Sequence, residues 1–226
     1  MKTTKRIINL SLLMIFSLLI TSCSKDYDAW KELKNCPGIP SFMYEGQLYN
    51  TVQIGTQCWM AENLNVGNQV TGTVEMTDNG QIEKYCYNND PENCKIYGGL
   101  YQWNEIMNYT NENEEVTQGI CPEGWHIPSL AELFYVDDYG ELKEAGFTHW
   151  IKPNNGATNS SGFTALPGGK RIGSSPGNYF INLRYSAYFW STSSDIYTKE
   201  LNAGHEGSWS VKVEANDGCS IRCVKD

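Results

Sequence analysis

The pattern of apolar and polar positions separates a short N-terminal run from a long mixed remainder. Residues 7–20 are apolar apart from Asn9, Ser11 and Ser17, and Lys2, Lys5 and Arg6 precede them. A membrane-spanning helix needs about 20 apolar residues, so this shorter run predicts the core of a secretory signal peptide. In the remainder, residues 119–133 (GICPEGWHIPSLAEL) carry the densest set of local signals. Pro122 and Glu123-Gly124 predict a turn, Trp125-His126-Ile127 a short strand, and Pro128 its end. Ser129 and Glu132 have capping-box spacing, in which each side chain answers the other residue's amide. Leu130, Leu133 and Phe134 then give a helix an apolar face, and that helix is expected to run to about Asp138 or Tyr139.

The other segments are shorter. Partial alternation predicts strands at 42–44, 48–54 and 58–60, joined by turns at Glu45-Gly46 and Gly55-Thr56. Asn79-Gly80 predicts a hairpin within 69–84. Leu100, Trp103, Ile106 and Met107 share one helical face, so a short helix is expected within 101–109. Later come a strand at 163–166, a glycine-rich excursion over 171–184, and strands at 186–192, 194–201, 208–213 and 220–224. Helices early and strands late is the order of an α+β domain. The 21 glycines make it loop-rich rather than a helical bundle.

The apolar run ends in Ile20-Thr21-Ser22-Cys23, which resembles the lipobox of bacterial lipoproteins. That resemblance implies a signal peptide over 1–22, lipidation of Cys23 and a tether over 23–35. Ser24 stands where an inner-membrane retention aspartate would be, so an outer-membrane lipid anchor is expected, with the cell surface as one possible face. Loss of residues 1–22 leaves 14 positive and 26 negative side chains, a balance of −12. Such a surface repels phosphate backbones and argues against nucleic acid as a partner.

Eight cysteines occur; with Cys23 assigned to lipid, seven remain in a compartment where disulfides persist. Cys86 and Cys94 flank a turn-rich loop that a bridge would staple. Cys36 and Cys58 flank a hairpin-like segment, and Cys121 with Cys223 would tie the capped-helix joint to the last strand. Cys219 is then the odd one, unpaired or paired elsewhere. The chain has no Cys-x-x-Cys, and its histidines, at 126, 149 and 205, are scattered, which disfavours structural zinc. No cofactor is expected; Asn88, Asn89, Asp90 and Glu92 form an oxygen-rich loop that is a candidate for Ca²⁺, although such clusters more often simply cap turns. His126 reads as a buried, hydrogen-bonded residue rather than a base.

Six pieces in order, VQIGTQCWMAENL (52–64), CYNNDPENCKIYGGLY (86–101), GICPEGWHIPS (119–129), GFTALPGG (162–169), FWST (189–192) and SIRCV (220–224), resemble the Fibrobacter succinogenes major paralogous domain family. The resemblance implies a single domain over 36–226 with a C-type-lectin-like fold: a hairpin part, 36–85, and a lectin-like part, 86–226. It implies two short helices on a small twisted antiparallel β core, with the two ends of the domain close together. The calcium-dependent sugar tripeptides of C-type lectins are missing from the chain. The fold's distant kinship with formylglycine-generating enzymes draws attention to Cys219 and Cys223, four apart on one strand face, as thiols for oxidase chemistry. That reading ranks third, and no catalytic residue is expected.

The first expectation is a non-enzymatic recognition module for a glycan or protein. Its candidate ligand surface is the excursion before Trp190, with Arg171, Asn182, Arg184, Tyr185 and Tyr188 as the named side chains, beside Tyr179 and Phe180. Aromatic rings stack on ligand faces, while Arg and Asn orient ligands by hydrogen bonds. The alternative is a structural envelope or assembly subunit.

Overall fold

The first alternating segments fold as their turns dictate in the computed structural model, which describes residues 35–110, 116–134, 139–173, 179–193 and 195–226. The signal segment and Cys23 lie outside the described residues. Ser41–Tyr44 (β1), Gln47–Ile54 (β2) and Gln57–Met60 (β3) form an antiparallel meander. Glu45 and Gly46 in the first turn have φ of 46° and 75°, the left-handed pair that matches a tight turn to strand twist. Along β2, alternation buries Tyr49 and Thr51 and exposes Leu48 and Asn50.

The expected hairpin within 69–84 is not formed. Asn68–Gln69 (β4) and Glu83–Lys84 (β5) pair in parallel. Parallel strands need a crossover rather than a tight turn, and residues 70–82 supply it. The Asn79-Gly80 turn exists inside that crossover, where Asn79 Oδ1 accepts from the Gln81 amide at 2.8 Å.

The loop between Cys86 and Cys94 holds a 3₁₀ turn, Tyr87–Asn89, and part of a helix, Pro91–Tyr97 (α1), which the sequence reading missed. Asp90 caps it, Pro91 opens it and Gly98, at φ 82°, closes it. Trp103–Ile106 (α2) is the expected early helix, cut to four residues. Trp125–His126 (β6) leads into Leu130–Phe134 (α3). Its capping box is reciprocal: Ser129 Oγ accepts from the Glu132 amide at 3.2 Å, and Glu132 Oε2 accepts from the Ser129 amide at 2.7 Å. The expected continuation through 135–138 lies outside the described residues. The described residues therefore carry three α-helices, where the family resemblance implies two.

No strand forms at 163–166. Thr164 has φ 52°, held by its amide donating to Asn159 Oδ1 at 2.8 Å, and a left-handed residue cannot continue extended backbone. Strand structure resumes with Gly168–Ile172 (β7), Tyr179–Leu183 (β8), Ser186–Trp190 (β9), Tyr197–Asn202 (β10), Ser208–Lys212 (β11) and Val224–Lys225 (β12). Among the described residues of the glycine-rich excursion, 171–172 and 179–183 belong to the antiparallel pair of β7 and β8.

One sheet runs β1-β2-β3-β12-β6, antiparallel throughout, and brings both ends of the domain together. The other runs β11-β10-β9-β7-β8, with β7 and β9 parallel. Adjacent residues on the central strands point into different apolar clusters. Met60, Tyr188 and Trp190 join one; Trp59, Ala187 and Phe189 join the other. Period-two side-chain direction thus buries these strands on both faces. The two fully buried indoles find acceptors, Trp190 on the Tyr101 carbonyl at 2.7 Å and Trp150 on the Ala165 carbonyl at 3.0 Å.

Three disulfides join Cys36 to Cys58, Cys86 to Cys94 and Cys121 to Cys223, the pairs set out from the sequence, and Cys219 is a buried free thiol. Beside the longest closure, His126 bridges two carboxylates: Nδ1 meets Asp226 at 2.6 Å and Nε2 meets Glu132 at 3.1 Å. Burial disfavours its charged form, but the two carboxylates outweigh burial and raise its pKa. Glu132 is likewise opposed by burial, yet His126 and the Ser129 hydrogen bonds hold its pKa down at about 2.

Candidate functional site

The nominated ligand surface divides when the side chains are placed. Arg171 is not at the surface, as expected, but buried: Nε donates to the Gly72 carbonyl, Nη1 to the Asn216 carbonyl and Nη2 to Glu75, all within 2.8 Å. Its guanidinium also covers the Tyr85 ring at 4.5 Å. Antiparallel pairing of β7 with β8 and a bridge from Arg171 to Gly218 turn this side chain inward. Tyr188 is buried too, because β9 is the central strand covered on both faces, and its hydroxyl accepts from Asn182 Nδ2 at 2.8 Å. Phe180 packs against Tyr87. These residues build the scaffold.

Arg184 and Tyr185 remain exposed, at the turn between β8 and β9. A strap over residues 144–154, absent from the sequence expectations, comes alongside them. The Ile151 amide donates to the Arg184 carbonyl at 2.9 Å, and Arg184 Nη2 donates to the Thr148 carbonyl at 3.2 Å. The strap and the turn form a platform that carries Phe147, Ile151 and Tyr185, exposed by 49, 40 and 39%, with Arg184 and Lys152 as its cations. Lys152 covers the Phe147 ring at 5.3 Å. Arg184 has φ 65°, a conformation that costs a non-glycine residue on the order of 1–3 kcal/mol.

Beneath the platform, Lys143 is fully buried and donates to the carbonyls of Asn155, Asn202 and His205 at 2.6 to 3.0 Å, tying the strap to the β10–β11 turn. Burial pulls its pKa down to about 8, so it stays charged at neutral pH. Glu144 Oε1 meets His149 Nδ1 at 2.7 Å. Glu144 Oε2 and Asn154 Oδ1 are buried without a partner among the described residues. The only sequence signal for this strap is a pair of apolar residues in a loop, which by itself marks nothing.

A second feature is concave. A groove of about 320 Å³ lies between β2, the segment after β3, the C-terminal half of α1 and the loop at 162–166. Gly98 sets its width, since a Cβ there would lie 2.6 Å from Asn63 Cβ. Arg222, fully buried on its wall, donates from Nε and Nη2 to Asn63 Oδ1 at 3.1 and 2.6 Å and from Nη1 to the Phe163 carbonyl, whose ring it covers at 4.0 Å.

In the Asn88–Glu92 loop, the side chains serve the turn. Asn89 Oδ1 accepts from the Gly72 amide at 2.7 Å, Asp90 caps α1 and Glu92 pairs with Lys95 at 2.6 Å. Among the described residues no three His, Cys, Asp or Glu side chains gather as a metal cluster. Cys219 and Cys223 do not stand as paired thiols: Cys223 is bonded to Cys121, and burial pushes the Cys219 thiol pKa well up, which disfavours the nucleophilic thiolate.

No helix among the described residues is long and apolar enough to cross a membrane. A family model described as the Fibrobacter succinogenes major domain matches residues 52–225. No curated protein and no solved structure matches the chain.

Proposed function

This chain belongs to the Fibrobacter succinogenes major domain family, and from that premise we propose a non-enzymatic recognition module, lipid-anchored through Cys23 to the outer membrane, that binds a protein ligand on its platform. The observation that carries the reading is the platform itself: Phe147, Ile151 and Tyr185 stand exposed together, with Arg184 and Lys152 beside them. Aromatic residues and arginine on a partly apolar patch are the composition of protein-binding hot spots. The two cations suit an acidic partner surface. Residues 1–34 bear on the anchor through their sequence alone, and the shared sheet of β1–β3 with β12 favours a C-type-lectin-like scaffold.

Chemical cross-linking on intact cells tests the reading. Adducts to another envelope protein that vanish with Phe147→Ala plus Tyr185→Ala support it; adducts unchanged by that pair defeat it. Palmitate labelling that survives Cys23→Ala would remove the anchor. A second reading, the assembly subunit, rests on Met43 and Leu48, paired across the β1–β2 edge hairpin and exposed by 63 and 54%. It predicts adducts between copies of the chain through that hairpin.

A further inference from the structure

We propose that the groove between β2 and α1 is a second binding site, independent of the platform, and that its ligand is a neutral oligosaccharide. Its volume, about 320 Å³, falls at the small end of ligand pockets, which span about 300–1,000 Å³. That is space for a short stretch of a sugar chain running out into solvent.

The lining chooses the chemistry. Gln47 and Asn50 bring side-chain amides to one concavity, whose wall is completed by Asn63, held by Arg222 and the Tyr97 carbonyl, and by Asn65, whose Oδ1 accepts from Lys84. An amide both donates and accepts, which matches sugar hydroxyls that do the same. Ile96, exposed by 46% at the mouth, and Leu166 supply apolar surface for the C–H faces of a ring.

Charge on these walls is answered internally. Glu62 accepts from the Asn50 side chain at 2.7 Å and from its backbone amide at 2.9 Å. Lys95 pairs with Glu92, and Arg222 is covered by Asn63 and the Phe163 carbonyl and ring. An anion entering here would meet the Glu62 carboxylate and a guanidinium already bonded. A peptide would find no free strand edge, because β2 is paired on both sides, by β1 and β3. A neutral polyhydroxylated ligand makes neither demand.

The test is calorimetric titration of the chain from residue 24 onward, disulfides intact, with neutral hexose and pentose tetrasaccharides and with tetragalacturonic acid as the charged control. At least one neutral tetrasaccharide binds, and the acidic one binds more weakly. Gln47→Ala with Asn50→Ala, and separately Ile96→Trp at the mouth, each weaken binding about tenfold or more, the loss of roughly one good hydrogen bond or its equivalent. Phe147→Ala with Tyr185→Ala leaves it unchanged. Three results would each overturn the site: no binding across the neutral set, preference for the acidic sugar, or loss with the platform pair alone. Binding untouched by both groove variants, each checked for a wild-type melting temperature, would do so as well. Failure of the platform's cross-links would leave this result standing, so the two readings fall separately.

Discussion

The groove and the platform lie on opposite sides of one contact, Tyr97 against His149, yet they are held by different means. Of the groove's walls, all but the loop at 162–166 lie close to a covalent tie. Cys58 leads into the segment after β3, Cys94 lies in α1, and Arg222 precedes Cys223. The platform has no such staple. It depends on one buried ammonium, one strained arginine and a strap beneath which two acceptors stay unpaired. A cross-linked concavity holds its shape without a ligand, whereas a hydrogen-bonded strap retains freedom to adjust. The first suits a small rigid ligand and the second a large surface.

Breaking the longest tie is the strongest way to test this contrast. Cys121→Ala with Cys223→Ala, which opens a closure spanning 102 residues, should cost about 4–5 kcal/mol in a denaturant titration. Hydrogen exchange should quicken first around Arg222 and β12; faster exchange starting at the strap instead would break the comparison.

Lys143→Met is the reciprocal experiment. It leaves three buried carbonyls without their donor and should cost about 2–3 kcal/mol. Exchange at Ile151 and Asn155 should rise while groove amides stay protected.

A smaller effect should follow pH. The raised pKa of His126 adds stability that is complete below its unfolded value of 6.5 and fades as pH climbs through the raised value. Lowering of Glu132 to about 2 adds stability that is complete above 4.5 and fades as pH falls through about 2. Melting temperature should therefore lose its plateau between about pH 4.5 and 6.5 in His126→Gln, and the lost protection should centre on β12.

The smallest change in stability should come from Arg184→Gly. Glycine relieves the positive φ while removing the side-chain bond to Thr148, so the melting temperature should move little. Platform cross-links should nonetheless be lost; their survival would show that the arginine side chain is dispensable for recognition.

Local signals were readable where a few neighbouring residues decide the outcome. The capping box at Ser129 and Glu132, the meander about Glu45-Gly46 and the Cys86–Cys94 staple needed no distant information, whereas Cys121–Cys223 joins residues 102 apart. The α1 signal, Asp90-Pro91 with Gly98 beyond the end, was equally local and was obscured by reading the segment as a loop. The strand expected at 163–166 failed because Asn159 holds Thr164 left-handed, a side-chain bond that apolar patterning does not register.

The candidate sites divide on the same ground. Arg184 and Tyr185 kept the exposure expected of a turn, while Arg171 and Tyr188, with the same side-chain chemistry, became scaffold once β7 and β9 took interior places in their sheet. What the amino-acid order determined by itself was the capped joint, the early hairpins and the residue types available for recognition. Tertiary structure alone decided which side chains meet. Amides from positions 47 to 65 share a wall with Arg222, and the strap over 144–154 lies against the turn that carries Arg184 and Tyr185, because long-range pairing and closure set direction and neighbourhood. Burial belongs to the assembled sheet rather than to the residue.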